Sequence, residues 1–509
     1  MVHINGYERG LATEELTIND SLEKNNIKNP QKDFIVYHDT VLKYNDVYKM
    51  ANGMASFLLS EGIKKKDRIC ILLPRIPELI ISFLSISKIG ALAVPVNYTL
   101  SKNEISRFIV GLSPSAIIIQ DKLLPLLDNE IASKVKRIIV TGKDHQFITW
   151  DSVCYPSEEN VDIEINPDNI AYLNYTTGSS GIPKGAIATH SNVYWNTVSS
   201  VEAMGIDSSD IHLCMFASFA HPHELFARAI YTGSTIVLLE EINPKTIAKT
   251  IIKNSVTCMM GLAPMYDMLA SHCKGFELES LRIAESGGMY TRPDIIRGFK
   301  NNFGIPVLSV WGSTETTGIA FANTPKDFRE DGSFGMVCPY YDVKIITDDG
   351  IEAKTGEIGE MLLGGKGVVS GYLENVEFPS IDGYYCSGDL AYRDQEGYYY
   401  FTERKSGLLK VAGLKVYPLQ VEIVLSLHPD IKEVAVIGVE DRLRGMIPKA
   451  FIVTEDNHQI SKQISKEDIK NFCKDKLADY MVPKEIEILE EFPKIGSGKI
   501  DKKRLKDRK

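Results

Sequence analysis

The strongest constraint on what this chain can fold into is an alternation: short apolar, β-branched runs separated by stretches with helical hydrophobic spacing. The runs include "RICILLP", "SAIIIQD", "RIIVTG", "STIVLLEE" and "VTCMMGL". This is the pattern of parallel sheets covered by helices. Helix starts between the runs are marked. Asn243-Pro244 opens "NPKTIAKTIIKNS", and Thr291 with Asp294 three residues later predicts a capping box for "TRPDIIRGFKNNF". The most apolar stretch, "LIISFLSISKIGALAVPV" from Leu79, is interrupted by Lys88, Gly90 and Pro95 within the length a bilayer span needs. It reads as a buried helix followed by a strand, with no membrane span.

A chain of 509 residues exceeds a single compact core, so two or three domains are expected. From about Asp342 the pattern shifts to short strands and Gly-containing turns ("DVKIITDDGIEAKTGEIGEMLLGG", "AYRDQEGYYYF"), which predicts a small antiparallel sheet or barrel. Beyond about Lys405 basic residues outnumber acidic ones while the remainder is acidic, an asymmetry that marks a separate C-terminal domain. The expected boundaries are 1–405 and 406–509. The expected fold class is α/β: a large N-terminal domain of helix-covered, mostly parallel sheets with a small β-barrel-like subdomain, and a small α+β C-terminal domain.

The net charge of -10 argues against a nucleic-acid partner, since gripping a duplex needs a basic excess. Eight cysteines are scattered, with no CxxC pair and no metal-like Cys/His spacing, as expected of reduced thiols in a cytoplasmic protein. The N-terminus "MVHINGYERG" has no basic start followed by an apolar core, so no signal peptide is read there.

Four loops carry chemistry-bearing residues. "TTGSSGIPKG" (Thr176, Thr177, Gly178, Ser179, Ser180, Gly181 and Lys184) joins the strand-like "IAYLNY" to "GAIATH". Its amides and hydroxyls suit phosphate oxygens and Lys184 adds charge, although Walker A spacing is absent; the alternative is a surface hairpin. "SVWGSTETTG" sets Trp311, Gly312, Ser313, Thr314 and Glu315 after the strand-like "IPVLSV", where a hydroxyl beside a carboxylate suits a phosphate and its magnesium ion; the alternative is a capped turn into a helix. Asp389 and Arg404 flank an aromatic run and form either a ribose-diol clamp or an ordinary ion pair. Lys499 follows Gly496-Ser497-Gly498, either a deliverable lysine or a solvated basic tail.

Taken in order, these pieces resemble the adenylate-forming superfamily, which includes acyl-CoA and aryl-CoA synthetases, luciferases and peptide-synthetase adenylation domains. The resemblance runs from "VLKYNDVYKMANGMASFL" near Val41 to Lys499 and includes "GALAVPVNYTLSKNEI", "ESGGMYTRP", "GEIGEMLLGG", "VAVIGVEDRLRGMIPKAFIV" and "LADYMVPKEI". It implies that a carboxylate attacks the α-phosphate of MgATP and that a thiol then displaces AMP, chemistry that depends on positioning and charge stabilisation. It assigns the 176–184 loop to the β- and γ-phosphates, Thr314 to the α-phosphate and Glu315 to magnesium. Gly287, Gly288 and Met289 line adenine, Asp389 and Arg404 hold ribose, and Lys499 bridges carboxylate and α-phosphate. The C-terminal domain is implied to be mobile about a hinge. Lys405 and Ser406 occupy it, where the family usually has Asp or Lys at the position of Ser406. Gly413 lies where the thiol arm passes, with Lys410 and Lys415 as phosphate contacts.

The acceptor is expected to be CoA, or a phosphopantetheinyl carrier protein on a separate chain. "KVYP" and "VPVNYTLSKNEI" resemble free-standing CoA and aryl-acid ligases more than peptide-synthetase domains. In "FASFAHPHELFARA", His221 aligns as the pocket gate beside Gly287 and Gly312, while Glu224 stands where the family has glycine. His223 and Glu224 either cap the following helix or contact substrate. The leading expectation is an ATP-dependent carboxylic acid:CoA ligase for an aryl or short-to-medium acyl acid. The alternatives are a stand-alone ligase loading an acyl, aryl or amino acid onto a carrier protein, and a catalytically idle nucleotide-binding regulator.

Overall fold

The computed structural model describes residues 14–135, 137–143, 146–161, 163–177, 183–441, 444–454, 465–494 and 500–508. The chain divides into two compact units, one of residues 1–343 with 363–385 and the other of 344–362 with 386–509.

The first unit holds two large sheets. In the seven-stranded one the order is Ile148–Thr149, Ile138–Thr141, Ala116–Gln120, Arg68–Leu72, Leu92–Pro95, Ile170–Thr177, Pro183–Thr189. Only the last pair is antiparallel. The nine-stranded sheet has a parallel centre, with Val307–Ser313, Ile283–Ser286, Cys258–Gly261, Ile211–Cys214, Thr235–Leu238 and Asp33–Tyr37 side by side. Its two ends are antiparallel. All five apolar runs are strands of these sheets, where helices on both faces let side chains of either face of the run be buried.

Leu79 and its neighbours form the helix Pro77–Lys88, buried almost throughout, and the chain turns at Gly90 into the strand Leu92–Pro95. Asn243 caps Pro244–Asn254 by accepting from the Thr246 amide at 2.9 Å. The expected capping box at Thr291 does not form. Pro293 takes the first helical position of Pro293–Phe303, which makes Arg292 the cap and puts Thr291 outside the helix. The Thr291 hydroxyl pairs instead with Ser286 Oγ at 2.7 Å, and Asp294 with Arg292 at 2.8 Å.

After Tyr341 a five-stranded sheet follows, of Tyr341–Ile346, Gly359–Gly365, Tyr384–Arg393, Ser380–Ile381 and Tyr399–Arg404. The second unit ends in another sheet, with Ile431–Asp441 and Gly445–Thr454 antiparallel and Glu485–Leu489 running parallel to the latter. The helices Pro418–Ser426 and Lys466–Lys474 close its core through Val421, Leu425, Ile469 and Cys473. No helix among the described residues is long and apolar enough to cross a membrane.

Candidate active site

The glycine- and hydroxyl-rich stretch connects the antiparallel strands Ile170–Thr177 and Pro183–Thr189, in which Thr176 lies opposite Lys184 and Thr177 opposite Pro183. Gly178, Ser179, Ser180 and Gly181 lie outside the described residues. Gly185 is required at the base of the hairpin, because a Cβ there would come within 2.7 Å of the Tyr175 ring.

Strands Ile283–Ser286 and Val307–Ser313 are parallel neighbours, with Ser286 opposite Ser309, so Gly287 and Gly288, just after the first, and Trp311 and Gly312, near the end of the second, lie at the carboxyl end of the same strand pair. Carboxyl ends of parallel strands are where open α/β sheets bind ligands. Neither glycine admits a side chain easily: a Cβ on Gly287 would meet Val310 at 2.9 Å, and Gly288 has φ +78°. Gly312 is more restricted still, its Cβ position lying 2.2 Å from the Gly318 carbonyl.

The residues after Trp311 do not lead into a helix. They form a tight hairpin with Gly318–Ala322, in which Ser313 and Thr316 exchange backbone-to-hydroxyl bonds at 2.9 and 3.2 Å. Thr317 is β-branched yet sits at φ +60°, a strained position held by its hydroxyl donating to Gly367 O at 2.7 Å. The turn presents Glu315, a buried carboxylate.

Lys184 and Glu315 converge on one side chain that sequence reading missed. The Tyr372 hydroxyl donates to Glu315 Oε1 at 2.6 Å, and Lys184 Nζ stands 5.3 Å from the Tyr372 ring centroid. Burial, and then the carboxylate it serves, raise the phenol's pKa and keep it a donor. No local spacing in "VVSGYLEN" flags this tyrosine, because its partners lie far away in sequence.

Behind the same turn runs a directional hydrogen-bond chain. Tyr172 OH and His223 Nδ1 are 2.7 Å apart, and His223 Nε2 and Asn196 Oδ1 are 3.2 Å apart. Asn196 Nδ2 donates to Tyr341 OH at 2.9 Å, and Tyr341 OH to Thr316 O at 2.6 Å. His223 and Glu224 are therefore not helix caps; the helix Ala227–Thr232 is preceded by Phe226, which makes no side-chain cap. Glu224 lies 3.6 Å from Arg228, which donates to Glu285 at 2.6 Å, all three deeply buried. His221 precedes this segment, next to Ala220, whose carbonyl accepts from Asn174 of the Ile170–Thr177 strand at 2.6 Å.

Burial depresses the pKa of His223, and likewise of His190 and His212, from 6.5 to about 4. The unfolded chain then binds more protons than the folded one below pH 6.5, so stability should be complete above that value. It should fall as pH drops toward about 4, by about 1.4 kcal/mol per unit for each histidine. Urea midpoints at pH 7, 5.5 and 4.5 should decline in that order; a flat series would contradict the neutral assignment.

In the second unit Asp389 and Arg404 sit opposite each other on antiparallel strands, Nε to Oδ1 2.6 Å, with the carboxylate buried and the guanidinium largely exposed. Lys405 pairs with Glu360 at 2.6 Å, and Ser406 lies in the short turn Lys405–Gly407. Gly413 (φ +87°) and Ala412 (φ +49°) form the two-residue turn joining Leu409–Val411 to Leu414–Val416, where Lys410 faces Lys415. Lys415 is paired with Asp348 at 2.6 Å. Lys499 lies outside the described residues; Lys494 and Ile500, on either side of it, form a β-bridge.

Among the described residues no cluster of three or more His, Cys, Asp or Glu could hold a metal ion. A single carboxylate such as Glu315 fits magnesium, which keeps waters and is held by one or two carboxylates together with substrate phosphates. The profile of the AMP-binding enzyme family matches residues 22–373, and that of the AMP-binding enzyme C-terminal domain matches 420–499. The long-chain-fatty-acid–CoA ligase of Bacillus subtilis is 28% identical over 94% of this chain and 91% of its own length. The anthranilate CoA ligase AuaEII, solved with anthranoyl-AMP, superposes with a TM-score of 0.87 at 26% identity, covering 97% of each chain. The o-succinylbenzoate CoA synthetase of B. subtilis, solved with ATP and a magnesium ion, gives a TM-score of 0.83 at 26% identity, covering 96% of this chain and 99% of its own. With the two family domains in their proper order and both glycine-bearing segments at the carboxyl end of one strand pair, the chain belongs to the AMP-binding enzyme family, among its adenylate-forming acid–thiol ligases.

Proposed function

We propose that this protein is an ATP-dependent carboxylic acid:CoA ligase for an aryl or short-to-medium acyl acid, with AMP and pyrophosphate as products. A carboxylate oxygen attacks the α-phosphorus as the bond to pyrophosphate breaks; the thiolate sulfur of CoA then attacks the acyl carbon and AMP leaves. The observation that carries this reading is the convergence of Lys184 and Glu315 on Tyr372, which brings a cation and a metal-competent carboxylate to opposite parts of one side chain, its ring and its hydroxyl. On this reading Lys184, Thr176, Thr177 and the loop 178–181 take the β- and γ-phosphates, Thr314 the α-phosphate and Glu315 the magnesium. Gly287, Gly288, Met289, Trp311 and Gly312 take the adenine side. Asp389 and Arg404 take the ribose, their pairing orienting a buried carboxylate toward a diol.

His221, Gly287 and Gly312 line the acid pocket. Lys499 completes the first half-reaction and Gly413 borders the thiol path. The functional domains are 1–405 and 406–509, hinged at Lys405 and Ser406. A cytoplasmic location accords with eight free cysteines, seven of them buried. The known relatives differ in their acids, so an acid panel is the decisive experiment. ATP–pyrophosphate exchange should rise for one aryl or acyl class, and the same acid should give a CoA thioester. Exchange without a CoA thioester would overturn the acceptor and favour a carrier protein; no exchange with any acid would overturn the reading itself.

A further inference from the structure

We infer that Tyr372 is a positioning residue that locks the lysine of the phosphate hairpin and the carboxylate of the 313–317 turn into one preformed unit. The inference rests on the proposed function, through its assignment of Glu315 to magnesium.

Two backbone connections, one of them a β-bridge, sew the Tyr372 segment between the phosphate hairpin and the 313–317 turn. Ala186 and Tyr372 form the β-bridge, with Ile187 N donating to Gly371 O at 3.1 Å, and Val369 N donates to Glu315 O at 2.8 Å. The side chain repeats that connection. Its ring lies beneath Lys184 Nζ, and its hydroxyl holds Glu315 Oε1. Tyr372 is only 9% exposed, so its rotamer is fixed by packing, including Phe378 at 5.3 Å between ring centroids.

The two halves of the tyrosine do separable work. A phenol donating to one carboxylate oxygen restricts rotation of the carboxylate and leaves the second oxygen for a cation. Supporting groups of this kind set metal affinity without touching the metal. The ring, in contrast, gives Lys184 an apolar and electron-rich floor that favours one ammonium position. Without the hydroxyl the carboxylate becomes free to rotate; without the ring the lysine loses its floor as well.

The test compares Tyr372→Phe, Tyr372→Leu and Glu315→Gln. Tyr372→Phe keeps the ring and the backbone seams, so its melting temperature and its ATP requirement at saturating magnesium should stay near those of the unaltered protein. Its half-saturating magnesium concentration should rise about tenfold, in pyrophosphate exchange and equally in calorimetric titrations of ATP at graded magnesium. Tyr372→Leu should in addition raise the KM for ATP. Thioester formation from supplied acyl-adenylate should be unchanged in both. An unaltered magnesium dependence in Tyr372→Phe, while Glu315→Gln loses magnesium-dependent ATP binding, would overturn the inference and leave the proposed function standing. If Glu315→Gln itself retained normal magnesium dependence, the metal assignment would fall and the inference with it.

Discussion

Replacing Lys499 with alanine is expected to slow ATP–pyrophosphate exchange by about 10²–10³-fold, while conversion of a supplied acyl-adenylate to thioester stays near the unaltered rate. The physical reason is charge. A carboxylate approaching an α-phosphate brings two anions together, and a lysine between them offsets the repulsion only while the new bond forms. That requirement ends when pyrophosphate leaves, so the second half-reaction should not depend on it. On either side of Lys499, Lys494 and Ile500 form a β-bridge, and the helix Lys502–Lys506 that follows is capped by Asp501 at the Arg504 amide. Trimming the side chain should therefore leave the frame intact. Lys503→Ala, an exposed lysine of that helix, is the matched control and should change neither half-reaction. Equal losses in both half-reactions for Lys499→Ala would indicate damage to the fold, and unchanged exchange would remove Lys499 from catalysis.

The elements of the first unit were legible because their signals are local. "SAIIIQD" is apolar whatever surrounds it, and Asn243-Pro244 marks a helix start by backbone geometry alone. The capping box at Thr291 failed for an equally local reason: Pro293 claims the first helical position and shifts the cap by one residue. Gly287 and Gly312 were legible as glycines that close backbone packing demands, since a Cβ at either would clash with its neighbours. Tyr372 was not readable. Its value comes from Glu315 and Lys184, which lie 57 residues from it in one case and much further in the other, and only folding brings them together. The same holds for His223, whose neighbours Tyr172 and Asn196 come from a strand and a helix earlier in the chain. A histidine followed by a glutamate before a helix looks like a cap until the tertiary partners are known.

The buried ion cluster yields the second large prediction. Arg228 stands between Glu285 at 2.6 Å and Glu224 at 3.6 Å, and no side chain of the three is more than 7% exposed. Burial alone would weaken the guanidinium's hold on its proton, but the two carboxylates outweigh it and raise its pKa. Arg228→Ala removes the cation that the two carboxylates share, leaving buried charge without compensation. The expected cost is about 3–5 kcal/mol, read as a lower urea midpoint. The penalty belongs to the unpaired charge and not to the pair itself, because taking three ionised groups out of water already offsets much of their attraction. The triple variant Glu224→Leu, Arg228→Met, Glu285→Leu should therefore recover most of the loss. A midpoint for Arg228→Ala within about 0.5 kcal/mol of the unaltered protein, the range of ordinary surface substitutions, would mean that the carboxylates are neutral or solvated and the cluster does not stabilise the fold. A triple variant no better than Arg228→Ala would instead assign the cost to lost packing. Because Glu224 lies against Gly318, in the hairpin that presents Glu315, the cluster's integrity should also be visible in function. Arg228→Ala should weaken ATP binding as well as stability, and the triple variant should restore both together if the cluster acts by holding that hairpin in place.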